Sequence, residues 1–238
     1  MRTTPHWKRP FSSHLPNILR CTLSLCAAVF LLSGCAAGVK SSADIRQYAL
    51  EYSSPAFKDM ARVNESLRVE PFSIVRNYNT TSMVYRSKPY LYGDDAYHRW
   101  KVKPSAMVSD MLLRDMRNAG LFRGVFSDSD RENSGYALSG VIEELYELED
   151  PVGSRAVLAM HVTLLHTDRK KTNGRTVFQK SYRSVQVMEK KDAESLARAM
   201  SHALEGLSKE IILDTYSAIR RNGDDPKGEP SLHGLSVK

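Results

Sequence analysis

The residues with the plainest chemistry are Leu32-Ser33-Gly34-Cys35. They close an apolar run from Cys21 to Leu32, which follows a basic N-terminus carrying Arg2, Lys8, Arg9 and Arg20 and no acid before Asp44. A positive segment, a short apolar segment and small residues ahead of a cysteine make a bacterial lipoprotein signal. The apolar run is too short to cross a bilayer as a helix, which takes about 20 residues. The chemistry needs a thiol at this point. Diacylglycerol is added to the Cys35 sulfur, the chain is cut between Gly34 and Cys35, and the new amine can be acylated too. The competing reading is an ordinary secretory peptide with an incidental cysteine, and the four-residue string at the end of the apolar run argues against it.

That reading changes what the composition means. The chain has 34 Lys+Arg and 27 Asp+Glu, a formal +7. Four of the basic residues lie in 1–34, so the mature chain carries 30 against 27, or +3. A +3 balance over a chain of this size is no footprint for nucleic acid. Of the three cysteines, Cys21 and Cys26 leave with the signal and Cys35 carries the lipid. The mature domain then has no thiolate nucleophile, no disulfide and no cysteine metal site. Residues 36–43 are small and polar, a tether that spans at most roughly 25–30 Å at full extension. Ala36, rather than Asp, follows Cys35 and favours the outer membrane, periplasmic face, over the inner membrane. The expected organisation is signal 1–34, lipidated Cys35 and tether to 43, one domain over 44–221, and a disordered tail over 222–238.

The domain offers little else that could react. It has no nucleophile elbow, phosphate-binding glycine loop, His-Glu-x-x-His or dinucleotide fingerprint. Asp94-Asp95-x-x-His98 could in principle ligand a metal, but Ser87–Arg99 is rich in Tyr, Gly, Asp and Pro and reads as a solvated loop. His161 and His166 fall on opposite faces of a strand and cannot share a metal. Arg169, Lys170, Lys171 and Arg175 make a basic tip that reads as a solvated loop or a contact for anionic lipid. No cofactor and no enzymatic activity are expected.

The elements that would position these residues follow from periodicity. Tyr48, Leu50 and Tyr52 alternate as a first strand. Leu67–Glu70 is a second, interrupted by Pro71 before Phe72-Ser73-Ile74 and so bent or at an edge. Met83–Arg86 is a third. Pro104–Asn118 is a helix opened by a first-turn proline and closed by Gly120. Its stripe of Met107, Val108, Met111, Leu112 and Met116 is core against a sheet rather than an adaptable binding face. Phe122–Phe126, Tyr136–Leu148 and Val157–His166 are further strands. Asn173-Gly174 is a type I′ turn signal. It would pair Val162 with Val185 and Met160 with Val187 on one core face. Asp192–Arg221 is a helix roughly 45 Å long. It buries Leu196, Met200, Ala203, Leu204, Leu207, Ile211, Thr215 and Ile219. The order predicts an α+β fold, a mostly antiparallel sheet with two helices packed on one face.

A set of short strings also carries a resemblance. Tyr48-x-Leu50, Val69-Glu70-Pro71-Phe72, Met83-Val84-Tyr85-Arg86, Arg99-Trp100 with Pro104-Ser105, and Gly120-Leu121-Phe122 resemble the auxiliary lipoproteins of ABC-type transport systems. The best-known members are the outer-membrane partners of MCE-type lipid transporters, the paraquat-inducible protein C type. The resemblance spans roughly Tyr48 to Arg221. The polar insert Lys88–His98 departs from it. It implies a non-catalytic adaptor between an MCE-type periplasmic protein, with its ABC transporter, and the membrane lipid held through acylated Cys35. The alternative is an accessory lipoprotein of outer-membrane assembly or lipopolysaccharide export. Tyr85, Arg86, Arg99 and Trp100 are the candidate partner-binding residues. Trp100 reads either as a core anchor for the helix start or as a partner-facing aromatic.

The lipid anchor predicts that Cys35→Ala takes up no labelled palmitate, keeps its signal and leaves the lipid-modified fraction of the envelope. Palmitate label that persists in Cys35→Ala refutes the anchor.

Overall fold

The computed structural model describes residues 44–167 and 175–224. Cys35, its tether, Asn173-Gly174 and most of the basic tip lie outside them. In chain order the elements are β1 (Arg46–Tyr48), β2 (Val63–Val69), β3 (Ser73–Ile74), β4 (Ser82–Lys88), β5 (Leu91–Trp100), α1 (Pro104–Ala119), β6 (Phe122–Ser127), β7 (Tyr136–Asp150), β8 (Gly153–His166), β9 (Arg175–Val187) and α2 (Ala193–Asp224). The helix α2 therefore takes in residues 222–224, which the sequence pattern assigns to a tail; residues 225–238 lie outside the described residues.

The fold is α+β, and its sheet is mixed. β7 is the hub. β2, β3 and β4 pair with it in parallel, one after another along one edge, while β8 pairs antiparallel along the whole of the other edge. β8–β9 and β4–β5 are the other antiparallel pairs, and β1–β5 and β2–β6 are parallel. The long ladders are the antiparallel ones. The parallel pairs arise because β2–β3 and β4 each return to the same edge of β7. Pro71 breaks the chain between β2 and β3, where a missing N–H does no harm to the ladder. β2 itself is interior, flanked by β6 and β7.

Two expectations about the sheet are corrected. Residues 91–100 are a strand and not a loop. Its side chains are polar because much of it is exposed, and its backbone is satisfied by β4 on one side and β1 on the other. The β8–β9 register also differs. Val162 pairs with Lys180, Met160 with Tyr182, Val157 with Val185 and Arg155 with Val187. The predicted pairing is off by an odd number of residues, which moves every β9 side chain to the other face. The face of β9 turned toward the helices is largely polar. Tyr182 is its buried member, and its hydroxyl donates to Asp214 Oδ2 on α2 at 2.8 Å. That bond, not a run of valines, fixes the register.

The helices are where the pattern predicts. Gly120 takes φ +67°, a left-handed value that closes α1 without Cβ strain. Asp192 Oδ1 accepts the Ser195 N–H at 2.8 Å and caps α2. The eight residues assigned to the inner face of α2 are all buried, as are Met107, Val108, Leu112 and Met116 of α1. Burial of each large apolar side chain stabilises by about 1.5–3 kcal/mol.

The expected strand over 48–52 stops at Tyr48, because the segment beyond it bonds to a helix instead of a sheet. Glu51 N–H donates to Ser201 Oγ at 3.0 Å. Tyr52 Oη donates to Asp115 Oδ2 at 2.8 Å, and Ser208 Oγ donates to the same oxygen at 2.7 Å. Arg114 grips the other oxygen through Nε at 2.9 Å and Nη2 at 2.8 Å. Its guanidinium also sits 4.6 Å from the Tyr52 ring centroid. Asp115 has no solvent exposure, and this network joins the N-terminal segment, α1 and α2.

Asp115→Ala is predicted to destabilise by about 3–5 kcal/mol in urea unfolding, since it strands the hydroxyls and the guanidinium. Ser208→Ala should cost only about 1 kcal/mol. Burial first and the Asp115 hydrogen bond second raise the Tyr52 hydroxyl above its ordinary range. Burial and Asp214 do the same for Tyr182. The unfolded chain therefore loses these protons first, and stability falls as pH rises above about 10. Tyr52→Phe and Tyr182→Phe should each flatten that alkaline limb.

Candidate functional site

A cavity of about 400 Å³ opens where the start of α2 approaches β1, β4, β5 and β7. Tyr85, Asp95, His98 and Glu147 line it, with Arg46 at its wall. Their convergence follows from register. Tyr85 pairs with Glu147 on β7 and with Gly93 on β5, so all three share one face. The Tyr85 ring lies across Gly93. A Cβ at Gly93 would come within 2.4 Å of that ring, so only glycine lets it settle there.

Asp95 and His98 reach the cavity through a bulge. Val84 pairs with Asp94 but Ser82 pairs with Arg99, which leaves extra residues on β5. Asp95 closes that bulge. Its Oδ1 accepts the N–H groups of Tyr97 at 2.8 Å and His98 at 2.9 Å, and its Oδ2 lies 2.8 Å from His98 Nδ1. Burial works against this carboxylate, but the Tyr97 and His98 contacts outweigh it and hold the group below its usual range. Both oxygens are committed to the bulge. Among the described residues no group of three His, Cys, Asp or Glu side chains is placed to hold a metal. Asp94 is exposed and stays apart from the pair.

The four residues singled out from the sequence do not form one patch. Tyr85 faces the cavity. Arg86, next in the strand, points to the opposite face, where its guanidinium carbon lies 5.6 Å from the Tyr146 ring centroid. Tyr146 stacks on Tyr78 at 5.9 Å and meets the edge of Tyr92 at 5.8 Å. Glu144 accepts Arg183 Nε at 2.7 Å beside them. Arg99 is half-buried at the far end of β5. Trp100 is 2 % exposed, and its backbone N–H donates to Thr81 O at 2.7 Å. It anchors the core ahead of α1 and offers a partner no surface.

Sequence reasoning missed Glu147 and the aromatic group around Tyr146. Glu147 Oε1 is buried with no hydrogen-bond partner among the described residues. Burial raises its carboxyl above the ordinary range, and the neighbouring Glu149 adds to the shift. The signal was present in the even spacing of Glu147 and Glu149. Their burial became visible only when β4 and α2 closed over them.

The geometry defines an α+β domain whose sheet carries a polar cavity at one end. The chain belongs to the family of ABC-type transport auxiliary lipoprotein components, whose sequence signature matches residues 48–212. Protein XCC0632 from Xanthomonas campestris shares the fold, with a TM-score of 0.68 and 17 % identity over 75 % of this chain and 99 % of its own. A second crystal structure, of an uncharacterized protein, has a TM-score of 0.53 and 12 % identity over 68 % of this chain and 99 % of its own. A comparison with curated proteins finds no match. No helix among the described residues is long and apolar enough to cross a membrane.

The raised Glu147 carboxyl has a consequence for stability. The folded chain holds this proton more tightly than the unfolded chain, so above the ordinary carboxyl range the folded state bears a burial cost that grows with pH. Glu147→Gln is predicted to raise the unfolding free energy at pH 7. That gain should shrink as pH falls toward about 4, where the unfolded carboxyl also takes up its proton. Denaturant unfolding at the two pH values checks it.

Proposed function

We propose that this chain is a lipid-anchored adaptor in an envelope transport system. It links a periplasmic MCE-type component, served by an ABC transporter, to the membrane that holds Cys35, with the outer membrane as its site. The family membership over residues 48–212 carries the reading. Leu32-Ser33-Gly34-Cys35 supports the anchor, and Ala36 supports export to the outer membrane. The work of such a subunit is positional. The Asp95–His98 pair closes a strand bulge, and among the described hydrogen bonds His98 contacts no nucleophilic hydroxyl.

The test is co-purification of the tagged, lipidated chain from its own envelope, followed by mass spectrometry. Recovery of an MCE-type protein and a transporter subunit supports the adaptor. Recovery of outer-membrane assembly or lipopolysaccharide-export proteins instead supports the alternative. His98→Ala is predicted to keep transport-linked complementation, with a stability change within about 1 kcal/mol. Ala36→Asp should shift the protein toward the inner membrane on fractionation and lose complementation. A folded His98→Ala protein that fails to complement, beside an Ala36→Asp protein that succeeds, overturns the adaptor reading.

A further inference from the structure

Two turns at one end of the sheet share a pattern that neither the core nor the cavity uses. β4 and β5 are joined by Pro89-Tyr90, and β7 and β8 by Pro151-Val152. Each is a proline followed by a large apolar residue aimed at solvent. Tyr90 is 99 % exposed and Val152 is 97 % exposed. The turns are neighbours. Arg86 pairs with Leu148, so Pro89 and Pro151 each lie three residues further along adjacent parallel strands. Leu91, Tyr92 and Val187 are exposed at the same end. Tyr90 holds φ +67°, so the chain accepts a strained value with its ring turned outward.

The backbone of this ledge has few free donors. The two prolines have no N–H. Asp150 Oδ1 accepts the N–H groups of Val152 at 2.9 Å and Gly153 at 3.1 Å. The other Asp150 oxygen is paired with Arg155, and Glu149 is paired with Lys191 at 3.1 Å. Turns of this kind strand few backbone donors on meeting an interfacial layer.

The chain also arrives from this side. β5 leads away from the Pro89-Tyr90 turn, and β1 runs parallel to it with Arg46 opposite His98. Asp44 and Ile45, which precede Arg46, therefore extend toward the turns. Arg46 stands level with the start of β4, near Met83, about 17 Å short of Lys88 at the strand rise. Cys35 precedes Arg46 by eleven residues, a reach of at most about 36–40 Å. The anchor is long enough to let the ledge touch the bilayer and too short to let the domain leave it.

We propose that the Pro89-Tyr90 and Pro151-Val152 turns seat in the surface of the bilayer that holds Cys35, with Tyr90 and Val152 in the interfacial layer. Tyrosine suits that layer because its ring is apolar and its hydroxyl stays wet. The proposal rests on the lipid anchor for the direction of approach. A second hold also fixes the orientation of the domain over the membrane, which a single flexible tether does not.

The experiment places a tryptophan at the ledge of the purified full chain, reconstituted into phosphatidylcholine vesicles with brominated acyl chains. Val152→Trp reports the ledge, and Asn133→Trp reports the opposite end of β7. Native Trp100 is buried and is subtracted with the parent protein. Val152→Trp should emit further to the blue and be quenched several-fold more than Asn133→Trp. Adding Tyr90→Asn, a residue that tolerates the left-handed φ, should lower that quenching. The N-terminal peptide is weighed in parallel. Unquenched Val152→Trp, or equal quenching at both ends, in protein whose Cys35 carries lipid overturns the ledge proposal. The first is also the result of a ledge reserved for a protein partner. Cys35 without lipid overturns the anchor. Quenching of Val152→Trp on added vesicles would then still support the ledge, and its absence would overturn both.

Discussion

A carboxylate with no access to water is tolerated only when its charge is answered, and Asp115 is answered from three directions. Arg114 neutralises it from its own helix, Tyr52 from the segment after β1, and Ser208 from the middle of α2. Tyr52, Asp115 and Ser208 are far apart in sequence, so the network is complete only in the finished fold. It sets the separation of the two helices and holds a non-regular segment of chain against them. Tyr216, whose hydroxyl donates to Ala61 O at 2.8 Å, repeats the device further along α2. With α2 fixed in this way, its capped N-terminus stands over the sheet end where Tyr85, Asp95 and Glu147 gather.

The legible parts of this fold are those where burial writes a period into the sequence. Both helices were plain, since a 3.6-residue stripe with Pro104 before it and Gly120 after it fits a helix and little else. β2, β7 and β8 were visible as alternation and β4 and β6 as short strands, although their ends moved by one to several residues. β5 was not visible, because a strand held by backbone ladders on both sides needs no apolar face. The register of β9 was misread for a related reason. Val185 and Val187 look like core residues, yet they are 38 % and 78 % exposed, while Tyr182 is buried. A hydroxyl bonded to Asp214 decided what hydrophobicity could not. Asp115 was illegible in the same sense, since an Arg-Asp pair on a helix resembles any solvated face until Tyr52 and Ser208 are in place.

The site shows the same division. Residue types were a fair guide to where polar chemistry would collect, and Tyr85 and His98 do meet at one cavity. Grouping Tyr85 with Arg86 was less sound, since neighbours on a strand face opposite ways. Arg86 instead joins a second cluster with Tyr146, Tyr92 and Tyr78 on the outer face of the sheet. That cluster depends on a bulge in β7 between Ile142 and Glu144. The bulge lets Ile142 and Leu145 both face the helices and puts Tyr146 on the other face, where Tyr78, Tyr92 and Arg86 gather about it and it is 2 % exposed. Nothing in the spacing of those residues marks the bulge.

The irregularities of the molecule fall at both ends of the sheet: pairing also slips between Val63 and Ser66 in β2 and between Leu164 and Leu165 in β8, and Asp59 takes a left-handed φ of 58°. The β5 bulge brings Asp95 and His98 to the cavity, and the β7 bulge brings Tyr146 to the outer face. The β5 bulge lies in the half of the sheet that ends in the Pro89-Tyr90 and Pro151-Val152 turns, where α2 also begins, and the β7 bulge sits midway along its strand. Bulges and non-glycine left-handed residues cost stability and persist where the surrounding structure over-determines them. Here the long β7–β8 ladder and the two helices supply that support. The two proline turns mark the end of this frame that carries the exposed Tyr90 and Val152 side chains. On the proposed reading, that end faces the membrane. The cavity between the α2 cap and Glu147 then opens in the half of the sheet nearer the lipid.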